Sequence, residues 1–298
     1  MSTYNGERFL AEQIESVLKQ EGVTVHLLIR DDGSSDRTIP IIEGYLEKHP
    51  NISLIKGENC GCADSFMALV REAAAMDDGY DYYAFCDQDD YWEPDKLKEA
   101  VRILSETPHS MSLLYLGAYQ MVDAELNRIE TRERHPAMNL AGAIAANLAT
   151  GCTMVFNREL LDIVSSKAPR YMIMHDYWIY LVCLAVGGCV LYDKTPHILY
   201  RQHEKNVIGG KSDAAWKRWS VRFKKLFRKG DRFKSKSAAS LLECFGDRMN
   251  EANKSFLKDV VNCRKWSAKF RLLRNPDFKG ETLDNDLQLF GLVLTGKF

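Results

Sequence analysis

The stretch YYAFCDQDDYWEPDKL, residues 82–97, decides how the rest of the chain is read. Its first five residues are apolar or aromatic and fit a buried strand. The carboxylates of Asp87, Asp89 and Asp90 follow at once, and Pro94 then opens a helix predicted over 95–104, in the first-turn position proline favours. A buried strand that ends in acids and turns into a helix is half of a βαβ unit. VTVHLLIRDDGSSD, residues 23–36, has the same grammar: a buried strand, the acids Asp31 and Asp32, a turn, and a helix running through Ile41 and Leu46. In this turn Ser34 or Ser35 could cap that helix.

Working outward, helices are predicted over 9–20 and 65–75 and a short strand over 51–55. Alternating strands and helices imply an α/β domain with a mostly parallel sheet covered on both faces. Ligands of such sheets bind beyond the carboxyl ends of the strands. Both acidic clusters fall at such ends, which favours a site over scattered surface charge.

Three like charges in four residues repel one another. A solvated acidic turn and a cation site both satisfy the DQD spacing, and its place at the end of an apolar strand favours the cation. Two carboxylates with substrate phosphates suit Mg²⁺ or Mn²⁺. An EF-hand loop starting at Asp87 would need glycine at its sixth position, where Trp92 stands. Asp176, in MHDYW, reads either as a general base or as a helix cap, and spacing leaves both open. His203, in LYRQHEKN, follows another apolar strand and reads as either structural or ligating.

The bulk properties narrow the classes. At 298 residues the chain can bury one large domain with an appendage, and a net charge of −1 excludes a whole-molecule polycation. The eight cysteines form no CxxC pair, so a zinc ribbon is not expected, and they read as reduced thiols of a cytosolic protein. The N-terminus MSTYNGERF is polar and carries no signal-peptide pattern. The longest charge-free apolar run, residues 177–192, is interrupted by Gly187-Gly188 and falls short of the roughly 20 residues a bilayer span needs. It reads as a buried helix, a turn and a strand.

The pieces STYNGERFLAEQIESVLKQ, LLIRDDGSSDRT, GENCGCADSF, YYAFCDQDDYWEPDKL, ATGCTMVFNREL, MHDYW and LYRQHEKNV, in that order over about residues 2–207, resemble the inverting family 2 glycosyltransferases of the GT-A fold. They look most like bacterial rhamnosyltransferase-type members that build surface polysaccharides. The resemblance implies that Thr3, Tyr4 and Glu7 line a nucleotide pocket, that Asp31 and Asp32 contact base and ribose, and that Ser65 and Gln88 lie nearby. It implies a DxD pair at Asp87 and Asp89 for Mn²⁺ or Mg²⁺, with His203 reaching the metal or diphosphate. Asp176 matches the catalytic base, and Gly151, Cys152 and His175 fall on the acceptor side. The donor implied is dTDP-rhamnose or a UDP-hexose, and the acceptor is a glycan or a lipid-linked glycan. The buried strand the family carries before its STYNG-like motif has no counterpart here, so the chain reads as truncated or as begun at a misassigned start. The QxxRW signature of processive synthases is absent, so single addition is expected. A sugar-nucleotidyltransferase and a non-catalytic nucleotide-sugar-binding protein are the alternatives.

A GT-A domain over 1–207 leaves a basic, mainly helical region over 208–298. Its segment 211–236, bounded by Lys211 and Lys236, carries eleven Lys/Arg against two Asp, with Trp216, Trp219, Phe223 and Phe227 at helical spacing. That pattern suggests an anionic membrane at the inner face of the plasma membrane. No nucleic-acid-binding module accompanies it.

Overall fold

The computed structural model describes residues 1–76, 79–108, 110–203, 232–280 and 282–298. Most of the basic segment 211–236 therefore lies outside the described residues. Its end begins a helix, and Lys234 there is buried rather than facing a membrane, with its Nζ on the Ala145 carbonyl.

The N-terminal half follows the predicted alternation. Strand β1 (Ser2–Thr3), helix α1 (Leu10–Leu18), β2 (Leu27–Asp31), α2 (Thr38–Leu46), β3 (Ile52–Lys56) and α3 (Cys62–Ala75) build a parallel sheet of order β1-β2-β3. In α1 the apolar Leu10, Ile14 and Val17 recur at helical spacing and are buried on one face. The acidic stretch then gives β4 (Tyr82–Ala84), β5 (Tyr91–Trp92) and α4 (Lys96–Ser105).

The middle of the chain is less parallel than the alternation predicts. Strands β6 (Leu113–Gly117), β7 (Tyr119–Val122), β8 (Arg128–Arg132), β9 (Val155–Asn157), β10 (Cys189–Asp193) and β11 (Ile198–Arg201) form two mixed sheets, of order β10-β6-β9-β4 and β5-β11-β7-β8. Strand β9 runs antiparallel to both β4 and β6, and β5 runs antiparallel to β11. The short β5 brings the segment after Asp90 alongside β11, so the acidic turn and His203 meet at one rim.

Helices α5 (Leu140–Ala145) and α6 (Arg158–Ser165) precede α7 (His175–Ala185), whose eleven residues are all buried. The charge-free run thus folds as expected: a core helix, a turn at Gly187 and strand β10. The C-terminal helices α8 (Phe233–Phe245), α9 (Glu251–Val261), α10 (Trp266–Arg274) and α11 (Leu283–Thr295) pack on the side of α7 away from the sheet. Phe245, Leu257, Leu272 and Val293 share one apolar cluster with Trp178, Leu181 and the sheet residue Leu114.

An apolar cavity of about 620 Å³ lies between β2 and β4, lined among others by Met1, Leu28, Phe66, Val70, Tyr83 and Phe85. Strand β1 pairs only with Arg30 and Asp31 of β2, so below that register β2 has no strand on this side, and no ladder joins the parallel sheet to β4 among the described strands.

Because Leu181 is fully buried at the centre of the cluster, Leu181→Ala should lower stability by about 2–5 kcal/mol, from lost transfer energy and an unfilled cavity. Urea denaturation with an unchanged m-value is the check.

Candidate active site

Strand ends supply the site. The loop after β1 and the turn after β2 are knitted together by side chains. Asp31 accepts from Thr3 Oγ1 at 3.0 Å, from Ser34 Oγ at 2.6 Å, and from the backbone N–H groups of Gly33 and Ser34. Asn5 N–H donates to Ser34 Oγ at 2.9 Å, and Ser35 N–H donates to Asn5 Oδ1 at 2.9 Å. Ser34 and Ser35 therefore bridge the two loops and do not cap α2. The cap residue is Arg37, whose side chain makes no cap hydrogen bond, and Asp36 just before it accepts from the N–H of Thr38 at 2.9 Å. Glu7 is turned outward, where its carboxylate accepts from the Arg37 N–H at 3.1 Å.

Asp32 is almost fully buried. Burial works to raise its pKa, but the N–H groups of Cys60 and Gly61, at 3.0 and 2.9 Å, together with Arg30 hold it below the usual carboxylate range. Arg30 also donates to Ser65 Oγ at 2.9 Å, and Ser65 touches Ser2 Oγ at 2.7 Å. Thr3, Asp31, Asp32 and Ser65 thus form one connected polar floor.

The acidic turn is clasped to that floor. The amide of Gln88 exchanges two hydrogen bonds with the backbone of Tyr4, at 2.8 and 3.1 Å. A Cβ at Gly6 would lie 2.2 Å from Gln88 Oε1, so a side chain there would push the amide out of this clasp. Tyr4 itself stays half exposed at the mouth.

The carboxylates that follow are crowded. The Asp87 pKa is pushed up to about 7, by burial first and then by the charges of Asp89 and Asp176. Asp90 is pushed well above its ordinary value by burial and by Asp89 and Asp87. Asp89 Oδ2 lies 2.8 Å from His203 Nε2. Asp87, Asp90 and Cys152 bring one potential ligand atom each within 4.8 Å of one another. Asp90 and Cys152 are buried behind the turn, and burial holds the Cys152 thiol protonated, whereas Asp87 and Asp89 are only half buried. The ligand atoms that converge are those of Asp87, Asp90 and Cys152, while Asp89 and His203 pair with each other beside them; crowded carboxylates of this kind suit a hard divalent cation.

Asp176 stands in the first turn of α7 and does not cap it, since the cap residue is Met174. Burial raises its pKa to about 6, against the lowering effect of the N–H groups of Tyr177 and Gly151. Gly151 opens a tight 3-10 turn (Gly151–Thr153), where a Cβ would lie 3.2 Å from Asp176 Cβ and 3.2 Å from His175 Nε2. Of the residues expected on the acceptor side, Gly151 therefore borders Asp176 directly. His175 and Cys152 do not offer themselves to an incoming molecule. His175 is stacked on Phe66 at 4.0 Å and set edge-on to Phe85 at 4.7 Å, and burial depresses its pKa to about 3. Helix geometry explains this: the first residue of α7 points into the core so that Asp176 can point to the rim.

Residue-by-residue reading missed the supports. Arg201, nearly inaccessible, donates to the carbonyls of Asp89 and Ala124, pairs with Glu12, and lies over the Phe9 ring at 4.4 Å. Its own N–H donates to Asp90 Oδ1 at 3.2 Å. Lys96 is buried with its Nζ 3.7 Å from the Trp92 ring centroid, and burial lowers its pKa to about 8. Both place positive charge beneath the acidic turn. A cation inside an otherwise apolar strand, as in ILYR, was the available signal for Arg201.

Comparison with known proteins gives a consistent result. The family model described as glycosyl transferase family 2 matches residues 1–164. The dTDP-rhamnosyl transferase RfbG of Shigella flexneri is 30% identical over 240 residues, covering 77% of this chain and 81% of that protein. In fold, the chain resembles residues 1–349 of TarS from S. aureus, with a TM-score of 0.56 and 18% identity over 98% of this chain and 79% of that one. It also resembles the mannosyltransferase PcManGT of Pyrobaculum calidifontis, solved with GDP-Man and Mn²⁺, with a TM-score of 0.53 and 17% identity over 99% of this chain and 77% of that one.

Arg201→Met would leave the Asp89 and Ala124 carbonyls and Glu12 without their donor. The expected cost is about 2 kcal/mol or more of stability, with Mn²⁺ affinity in the presence of nucleotide falling at least about tenfold. Arg201→Lys, which restores charge without the fork, should recover stability only in part. Thermal melts and a Mn²⁺ titration read both effects.

Proposed function

The chain belongs to glycosyl transferase family 2, and from that premise we propose that it moves one sugar, with inversion, from a nucleoside-diphosphate donor to a hydroxyl of a glycan or lipid-linked acceptor. The observation that carries this reading is a single buried carboxylate, Asp176, held beside a second group of carboxylates at the same rim. A single displacement needs one base and no covalent nucleophile. Rhamnose on dTDP is the preferred donor, because the relative at 30% identity is a dTDP-rhamnosyl transferase. A UDP-hexose is the second choice.

Asp87, Asp89 and His203 would hold Mn²⁺ or Mg²⁺, which when bound offsets the negative charge growing on the leaving diphosphate. The polar floor of Thr3, Asp32 and Ser65 takes the nucleoside, with Asp31 shaping the loop and the exposed Tyr4 ring available to the base. Gln88 holds the acidic turn against that pocket. Asp176 accepts the proton of the acceptor hydroxyl as its oxygen attacks the anomeric carbon. The bond from that carbon to the β-phosphate oxygen breaks on the opposite face, and the nucleoside diphosphate leaves. Gly151 keeps the approach to Asp176 open. A lipid-linked acceptor would bring the enzyme to the inner face of the plasma membrane.

Asp176→Asn should leave donor affinity within about threefold of the parent and reduce turnover by about 10²–10⁴-fold. Comparable turnover at saturating donor would overturn the assignment. Since the base must be ionised and its pKa is raised to about 6, turnover should rise with pH through that value and level off above it. Chelation with EDTA should abolish transfer, and Mn²⁺ should restore it. Release of pyrophosphate from a nucleoside triphosphate and a sugar phosphate would instead favour a nucleotidyltransferase.

A further inference from the structure

We propose that the outer face of the α10–α11 pair docks on an anionic phospholipid bilayer. Of the ten exposed large hydrophobic residues among the described residues, seven lie on these two helices. On α10 they are Trp266, Phe270 and Leu273, and on α11 Leu283, Leu287, Phe290 and Leu294. Each set recurs every three or four residues, which places it on one side of its helix. Trp266 and Leu287 are 75% and 69% exposed, far beyond what a packed stripe shows.

The opposite sides hold the pair to the protein. Ala268 and Leu272 of α10 and Leu289 and Val293 of α11 are buried. The helices run antiparallel, with Gly296 beside Arg264 and Lys269 Nζ donating to the Leu294 carbonyl at 2.6 Å. The same Nζ lies 4.6 Å from the Trp266 ring, so the two stripes adjoin at that end.

Charge selects the occupant. Residues 264–298 carry seven Lys/Arg against four Asp/Glu, and Arg264, Lys265, Arg271, Arg274, Lys279 and Lys297 are exposed. Arg274 lies over the Phe270 ring at 4.4 Å, which places a cation at the edge of the apolar surface. Aromatic and leucine side chains ringed by Lys and Arg suit the boundary between headgroups and acyl chains. No helix among the described residues is long and apolar enough to cross a membrane, so contact would be along the surface. None of the residues named on this face belongs to the basic segment 211–236.

The test is flotation of the full chain with vesicles of phosphatidylglycerol and phosphatidylcholine, and with vesicles of phosphatidylcholine alone. It uses no donor and is independent of the transfer reading. Binding is expected on the first vesicles and should weaken as salt is raised. Trp266→Ala with Phe290→Ala should reduce binding by about tenfold or more, with an unchanged circular-dichroism melt. Lys265→Glu with Arg274→Glu should remove most of the salt dependence. The proposal is overturned by absent or equal binding to both vesicle types, or by an alanine variant that folds and binds like the parent. It is also overturned if changing Lys217, Arg218, Lys224 and Lys225 to Glu is alone enough to abolish binding, or if the face proves to make a dimer that the alanine variant dissolves while vesicle binding is unchanged. If the alanine variant does not fold, the Lys265→Glu, Arg274→Glu variant decides: unchanged salt dependence in it overturns the proposal.

Discussion

Four carboxylates, those of Asp87, Asp89, Asp90 and Asp176, are held close together against their own repulsion, and much of the structure serves that constraint. In a partly desolvated setting such charges raise one another's pKa values unless positive charge is supplied. The protein supplies some from below. Arg201 grips the Asp89 carbonyl while its backbone N–H reaches Asp90, and Lys96 lies buried on Trp92 beneath the same turn. His203 meets Asp89 from β11. These supports come from two separate parts of the chain, Lys96 and the stretch from Arg201 to His203, and the pairing of β5 and β7 with β11 is what gathers them.

Asp31 and Asp32 follow a different rule. Their carboxylates are satisfied rather than crowded: Asp31 by four donors within its own loop system, Asp32 by N–H groups and Arg30. The pKa of Asp32 is accordingly held below its ordinary value, whereas those of Asp87 and Asp176 across the rim are raised to about 7 and about 6. One end of the rim is a fixed, preorganised floor, and the other has donors left for a cation and a base. That division suits a reaction in which one part of the donor is merely held while charge moves at the other.

Asp176 is positioned from behind. Helix α7 is buried on every side, between the sheet and the C-terminal helices, so Asp176 cannot shift without disturbing the largest apolar cluster. The C-terminal helices are thus part of the site's support, although none of the residues assigned to chemistry lies on them. Lys234, buried against the Ala145 carbonyl, extends that support toward the segment that leads to Gly151. The same helices leave an apolar face outward, which is why a packing role and a surface role can coexist in one region.

Local chemistry in the sequence determined the βα grammar of the first hundred residues, the acid-tipped strand ends, the core helix after Asp176 and the turn at Gly187-Gly188. Each depends on neighbours within a few positions: apolar period, proline placement, glycine freedom. The ordered motifs likewise carried the family, because each sits on a successive element of one fold and the order of those elements along the chain is set by its topology. Tertiary structure decided the rest. Whether Asp176 caps a helix or faces a rim depends on where α7 begins, and that is set by Met174 and by the Gly151 turn. Whether Ser34 caps or bridges depends on Asn5, far away in sequence. His175 and Cys152 share motifs with their functional neighbours, yet they turn into the core because adjacent residues on a helix or tight turn cannot face the same way. Arg201 is one cation in an apolar strand until folding brings Glu12, Ala124 and Asp89 around it, and only then does its charge have a task.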